Sequence, residues 1–435
     1  MRRAEPQVQF EASSAPASLE LLSEERRALA RSRFEQATLG KSEAWWYTPL
    51  GKRLAPRYEL GAPSAPKVEV RGQVMVLSFA ELNALALSGS LAGSTGEGAL
   101  ELTSAQAALS RARELLAEIA TEEGEAYCAL NSAHVERGLV IYASSSEAAE
   151  LPEVKVTWRV DRDAASASTD SMSASLSRSL VICEPGCELK VTERFVSPDD
   201  SELSAALSAH VTELWAGEGA QLTYLRSQAT ALDHQHVGRV AAYAAARAQV
   251  KSTLLNLGGA LSRVEIEASL NGEGADVSLE GAFTGSGEQL LDQHLTLRHM
   301  SPRCTSSQRF KGLIGGEARG VFTGRVYVAE GAAGTRAEQN NPNLLLTEGA
   351  RAMTRPQLEI YNDDVECSHG ATVGQLDERA MFYLRSRGLS RARAERMLAE
   401  AFVGEVLGGL SDEELLADAQ SAIQRTLKTL DELDL

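Results

Sequence analysis

The spacing of hydrophobic positions along this chain changes twice. Over residues 1–125 it is mostly helical. Residues 18–36 are rich in Leu, Ala, Glu and Arg with apolar residues three and four apart, and residues 103–121 repeat the pattern behind a cap at Thr103 or Ser104. Between them the adjacent Trp45, Trp46 and Tyr47 read as a packing anchor. From about Tyr127 the period becomes two. Segments 154–160, 179–196, 222–228, 262–270, 275–283, 291–300 and 324–330 alternate polar and apolar residues and favour β-branched types, as half-buried strands do. After Asp377 helical spacing returns, predicting three or four short helices. Gly388 ends the first, and Ser390 and Ser411 open later ones, with a capping box from Ser411 to Glu414. Met397, Leu398, Phe402, Val403, Val406 and Leu407 are expected to form mostly this module's own core. The chain thus divides into a mostly helical region (1–125), a β body (126–375) and a C-terminal helical domain (376–435).

The β body carries a degenerate repeat. Gly186-Cys187-Glu188-Leu189-Lys190-Val191 resembles Gly219-Ala220-Gln221-Leu222-Thr223-Tyr224. Arg247-Ala248-Gln249-Val250-Lys251 and Gly274-Ala275-Asp276-Val277-Ser278-Leu279 show the same turn, small residue and alternation. A period of roughly 30 residues fits a solenoid, in which each repeat buries its apolar face against the next. The expected fold is a parallel β-helix; a β-sandwich is the competing arrangement.

Candidate chemistry concentrates in residues 356–383. Cys367 and His369 lie two apart in an alternating stretch behind Asp363 and Asp364, and residues two apart on a strand share a face. A thiolate and an imidazole side by side suit iron or zinc, yet two donors are too few for a closed site. The competing readings are a buried structural histidine, a small core cysteine, and aspartates that satisfy turn amides. His299 with Cys304 has no site-defining spacing. His234 and His236 are a metal-friendly pair that on a strand often faces solvent. Cys183 and Cys187 flank a turn and are expected in the core, and Cys128 in an apolar strand.

Composition narrows the classes. The 435 residues carry a formal charge of −17, from 43 basic and 60 acidic side chains, which argues against a nucleic-acid surface. Five scattered cysteines without a CxxC pair fit a reducing compartment better than a disulfide framework. The first residues hold two arginines but no apolar stretch, and no run approaches a membrane span, so a cytoplasmic protein is expected. No GxxxxGK[ST] sequence occurs, so the chain itself is not expected to hydrolyse ATP.

Several words then point to a family. They are Thr305-Ser306-Ser307-Gln308-Arg309-Phe310-Lys311-Gly312, Val321-Phe322-Thr323-Gly324-Arg325-Val326-Tyr327-Val328, Gln339-Asn340-Asn341-Pro342-Asn343, Asp363-Asp364-Val365-Glu366-Cys367-Ser368-His369-Gly370-Ala371-Thr372 and Phe382-Tyr383-Leu384-Arg385-Ser386-Arg387-Gly388. In this order and spacing they resemble the SufB/SufD family of iron–sulfur cluster assembly proteins, and its SufD branch most. The resemblance implies a right-handed parallel β-helix flanked by N-terminal and C-terminal helical regions. It implies a non-catalytic scaffold subunit that pairs with a SufB-like subunit through the β-helix and binds the ATPase SufC through the C-terminal helices. It also implies a transient iron–sulfur cluster or iron at the subunit interface. Reduced flavin is associated with such complexes, although no flavin motif is present here. SufB carries a Cys-Asp-Ser word where this chain has Asn340, Asn341 and Pro342, and His-Glu-Ala-Thr where it has His369-Gly370-Ala371-Thr372. The implied site is therefore shared: a Cys and a Glu from SufB, with His369 and Cys367 from this chain. A SufB-like homodimeric scaffold is the first alternative. A β-helical polysaccharide-processing enzyme, which would be exported, is the second.

Overall fold

A computed structural model describes residues 9–12, 24–36, 57–61, 64–88, 98–116, 126–144, 150–160, 172–197 and 206–431. The aromatic triplet at 45–47 lies outside them. The fold is mainly β, a parallel solenoid of about seven turns with seven helices in the N- and C-terminal regions. Alternation is what builds it. Successive strands pass to opposite sheets, so each turn supplies one strand to each of two facing parallel sheets. The first sheet ends with Arg319–Val328 and Arg351–Ile360, the second with Thr335–Leu345 and Val365–Gly374. Inward residues stack in columns along the solenoid and form its core, including Leu189, Leu222, Val250 and Val277 from the second sheet against Val240, Val264, Ile266 and Leu295 from the first.

The four repeat words sit in one register, Leu189 beside Leu222, then Val250, then Val277. Their shared turn has a physical basis. Gly186, Gly219, Arg247, Gly274, Arg303 and Gly334 all take positive φ, and each N–H donates to a carbonyl in the next turn of the coil at 2.7–3.1 Å. The sheet thereby continues around the corner. Glycine adopts this conformation without a Cβ clash. The next residue is small and buried at every level: Cys187, Ala220, Ala248, Ala275, Cys304, Thr335. Cys304 and Cys187 therefore fill a column otherwise held by alanine and threonine. Cys304→Ala should cost less than about 1.5 kcal/mol in denaturant melts; a much larger loss would give Cys304 more than a packing role.

Helices clothe both outer faces. They are α1 (Glu24–Gln36), α2 (Phe79–Ser88), α3 (Gly98–Leu115), α4 (Ala126–His134), α5 (Glu378–Ser386), α6 (Arg391–Leu407) and α7 (Glu413–Asp431). The region expected to be mostly helical also supplies short strands, of which Gln9–Ala12 and Arg57–Gly61 extend the first sheet and Lys67–Arg71 the second. Helix α3 starts at Gly98, five residues before the expected cap, so Thr103 is interior to it. Cys128 lies on α4, not on a strand, and packs against Val211 and Ala241 of the first sheet.

At the C-terminus Ser390 caps α6 as expected, its hydroxyl accepting from the Arg393 N–H. At α7 the cap falls one residue later than expected. Asp412, not Ser411, accepts from the N–H groups of Glu414 and Leu415, because a carboxylate is the stronger acceptor for exposed helix amides. Nor is the module's core its own. Ala399, Val403, Val406, Leu415, Ala419 and Ile423 pack on Leu225, Leu255, Leu313 and Leu344, outward residues of the second sheet. A bidentate Arg194–Asp418 pair (2.8 and 2.7 Å) and Lys311, bonded to Glu405 and the Phe402 carbonyl, tie the module down.

Candidate functional site at the open end of the solenoid

Cys367 and His369 lie on the last strand, Val365–Gly374. Each tops an inward column. Beneath Cys367 run Ala337, Ser306, Val277, Val250, Leu222 and Leu189. Beneath His369 run Gln339, Gln308, Leu279, Ser252, Tyr224 and Val191. Every residue below them is buried. On the last strand Cys367 is half-buried and His369 exposed, because no further turn covers them among the described residues. A buried structural role for His369 is thereby overturned. Its neighbours across the end are Thr354, Pro356 and Leu358, half-buried inward residues of the last strand of the first sheet. Burial pushes the Cys367 thiol above its ordinary range, so it would ligate only as the thiolate, the metal displacing its proton into solvent.

Asp363 does not share this face. It lies in the turn before the strand, where the Asp364 N–H donates to Asn362 Oδ1 and the Asp364 carbonyl accepts from the Gly334 N–H. Among the described residues no group of three or more His, Cys, Asp or Glu side chains is placed to hold a metal ion.

The two terminal strands, ten residues each, end their sheets and leave one backbone edge unpaired. Isolated edges of this length are normally blunted or covered. Here Ile360, Tyr361 and Val373 stand exposed around them. A second exposed apolar group lies on the helical module: Phe382 (76% exposed), Tyr383 (58%) and Met397 (47%). Much of their surface is left uncovered by the fold.

The remaining candidates are structural. His234 and His236 do not face solvent. Both are buried and bond the Ser208 hydroxyl, through Nε2 at 2.9 Å and Nδ1 at 2.7 Å respectively. His236 also meets Arg226 from the facing sheet, 2.5 Å from its Nε2. His299 points inward to Ser306 (2.8 Å), whereas the Cys304 thiol donates to the Gly272 carbonyl. Burial pushes Cys183 up to about 12, and Cys187 upward as well, leaving both unreactive thiols.

One interior centre escaped the sequence reading. Glu193 is fully buried and accepts from Ser179, Thr212, Tyr224 and the Trp158 indole at 2.6–3.0 Å, with His210 Nε2 3.3 Å away. Burial works to raise its pKa; the His210 ring and the hydroxyls outweigh it and hold the carboxyl well below the usual range. The signal for it was a charged residue in inward phase within an alternating strand.

No helix among the described residues is long and apolar enough to cross a membrane. The profile of the SUF system FeS cluster assembly SufBD core domain matches residues 165–402, the solenoid together with the start of the helical module. An iron–sulfur cluster assembly SufBD family protein of Synechocystis is 32% identical over 253 residues, covering 57% of this chain and 55% of that protein. The iron–sulfur cluster assembly protein SufD of Escherichia coli is 32% identical over 258 residues, 56% of each chain. SufD of Bacillus subtilis is 26% identical over 312 residues, 69% of this chain and 66% of that one. The chain thus spans about half the length of the first two relatives.

Proposed function

The chain belongs to the SufBD family of the SUF iron–sulfur cluster assembly system, and we propose that it is the SufD-type scaffold subunit of a SufB–SufC–SufD complex. The observation that carries this reading is the open solenoid end, where two unpaired strand edges flank an inward-facing Cys367 and His369. A partner solenoid adding strands to those edges would satisfy their backbone groups and cover the two side chains. Iron or a nascent cluster, as cargo, would then be held by His369 and Cys367 from this chain and by donors from the SufB-like partner, since two ligands alone leave a coordination sphere incomplete. The heteromeric arrangement is favoured by Asn340, Asn341 and Pro342, which stand where the resemblance puts the SufB word that carries a cysteine. Asn341 is buried, and its amide donates to the Phe310 carbonyl at 2.8 Å.

The ATPase SufC is assigned to the surface of α5 and α6 around Phe382, Tyr383 and Met397. Apolar rings this exposed are the type that anchor interfaces. Deleting the helices would uncover Leu225, Leu255 and Leu313, so surface substitution is the cleaner test. Co-expressed with its partners, the tagged chain should co-purify with a SufB-like subunit and an ATPase. Phe382→Asp combined with Met397→Asp should release the ATPase, weakening it at least about 30-fold, while the SufB-like subunit stays. ATPase retained in full would move the docking site elsewhere, and a chain purifying with neither protein would overturn the assignment.

A further inference from the structure

The column beneath His369 changes character near its top. Lower turns hold Val191, Tyr224, Ser252 and Leu279; the upper ones hold Gln308 and then Gln339, directly in register with His369. Both glutamines are about 1% exposed, and Gln339 Nε2 donates to Gln308 Oε1 at 2.6 Å. That bond commits the Gln339 donor to the turn below. It leaves Gln339 Oε1 buried with no hydrogen-bond partner among the described residues. An unpaired buried amide oxygen is costly to a folded chain.

Gly324 leaves room for the amide from across the interior, since a Cβ there would run into Gln339 Nε2. One strand spacing above, roughly 4.8 Å, the His369 ring makes no hydrogen bond to another described residue.

We propose that Gln339 is a positioning residue for His369. Turned toward it, the exposed ring would donate its N–H to that unpaired Oε1, which selects one neutral tautomer and aims the other nitrogen's lone pair out of the open end. A metal-binding imidazole needs one bare nitrogen, and the partner of the other nitrogen fixes the ring. This inference rests on reading His369 as an iron ligand.

Ring nitrogen shifts of the full chain labelled with 15N-histidine, with His369 identified by its loss in His369→Ala, provide the test. The native chain should show one dominant neutral tautomer at His369 above pH 7. Gln339→Met keeps the volume but removes the acceptor, and should give a tautomer mixture with about tenfold weaker Fe2+ binding by the assembled complex. Gln339→Glu, which restores an acceptor, should restore the single tautomer. A mixture already present in the native spectrum overturns the proposal even if Gln339→Met fails to fold, as does a spectrum that Gln339→Met leaves unchanged. If instead His369→Ala binds iron normally while the tautomer still follows Gln339, the ligand reading fails and the contact stands.

Discussion

His369→Ala should leave the assembled complex intact and lower its iron and acid-labile sulfide on the order of 100-fold, more than the loss of a supporting contact would. The size of the effect follows from position. The side chain is exposed at the end of the stack, so its removal opens no cavity. On the proposed reading subunit pairing runs through the backbone edges, which alanine preserves. Cys367→Ala should have a smaller effect, because its half-buried thiol must also release a proton to bind. Iron and sulfide are measured on the purified complex beside its melting temperature. A fully loaded His369→Ala complex would end the account of a shared site at this end.

Mild acid should weaken the fold sharply, and three interior histidines are the reason. Arg226 can only donate, so His236 Nε2 must accept and the ring must be neutral. Its Nδ1–H then donates to Ser208, whose hydroxyl is turned toward His234 Nε2. Protonating His236 would set its Nε2–H against the Arg226 donor, and protonating His234 would turn the Ser208 hydroxyl proton away from it. Burial lowers His234 to about 3 and His299 to about 4, and it lowers His236 well below its ordinary 6.5, with the Arg226 charge adding to the effect.

The sign follows directly. Below pH 6.5 the unfolded chain takes up protons that the folded chain refuses, so stability is complete above that value and falls as pH falls. The decline continues until the folded-state values near 3 to 4 are reached. Each histidine contributes about 1.4 kcal/mol of loss by pH 5.5, roughly 4 kcal/mol for the three, a large share of an ordinary domain's stability. Urea midpoints at pH 7.5, 6.5 and 5.5 measure it. A midpoint indifferent to pH across that range would contradict the buried neutral assignment, and His299→Gln should remove part of the slope, which the buried His210 shares.

Some of this architecture is visible in local pattern. The alternation that begins near Tyr127, and the repeated turn words at Gly186, Gly219, Arg247 and Gly274, are properties of neighbouring residues, and they stack in the register that those words indicated. Failures came where a distant partner decides. Met397 through Leu407 have an ordinary amphipathic spacing, and nothing local says that much of that face is used against Leu225 and Leu313 of the second sheet. His234 and His236 look like a solvent-facing pair until Ser208 and Arg226, residues 26 and 10 positions away, are brought to them. Glu193 looks like any strand glutamate, and its donors come from four other strands.

By itself, then, the sequence determined the period of each segment, the coil of short strands, the family words and the shared face of Cys367 with His369. Only the tertiary structure decided which of these side chains reach solvent. Gln339 and His369 occupy the same phase of the same alternation; one is sealed and the other open. Alternation specifies the side on which a residue points, whereas burial in a solenoid depends on whether another turn, some 30 residues further along, is laid on top.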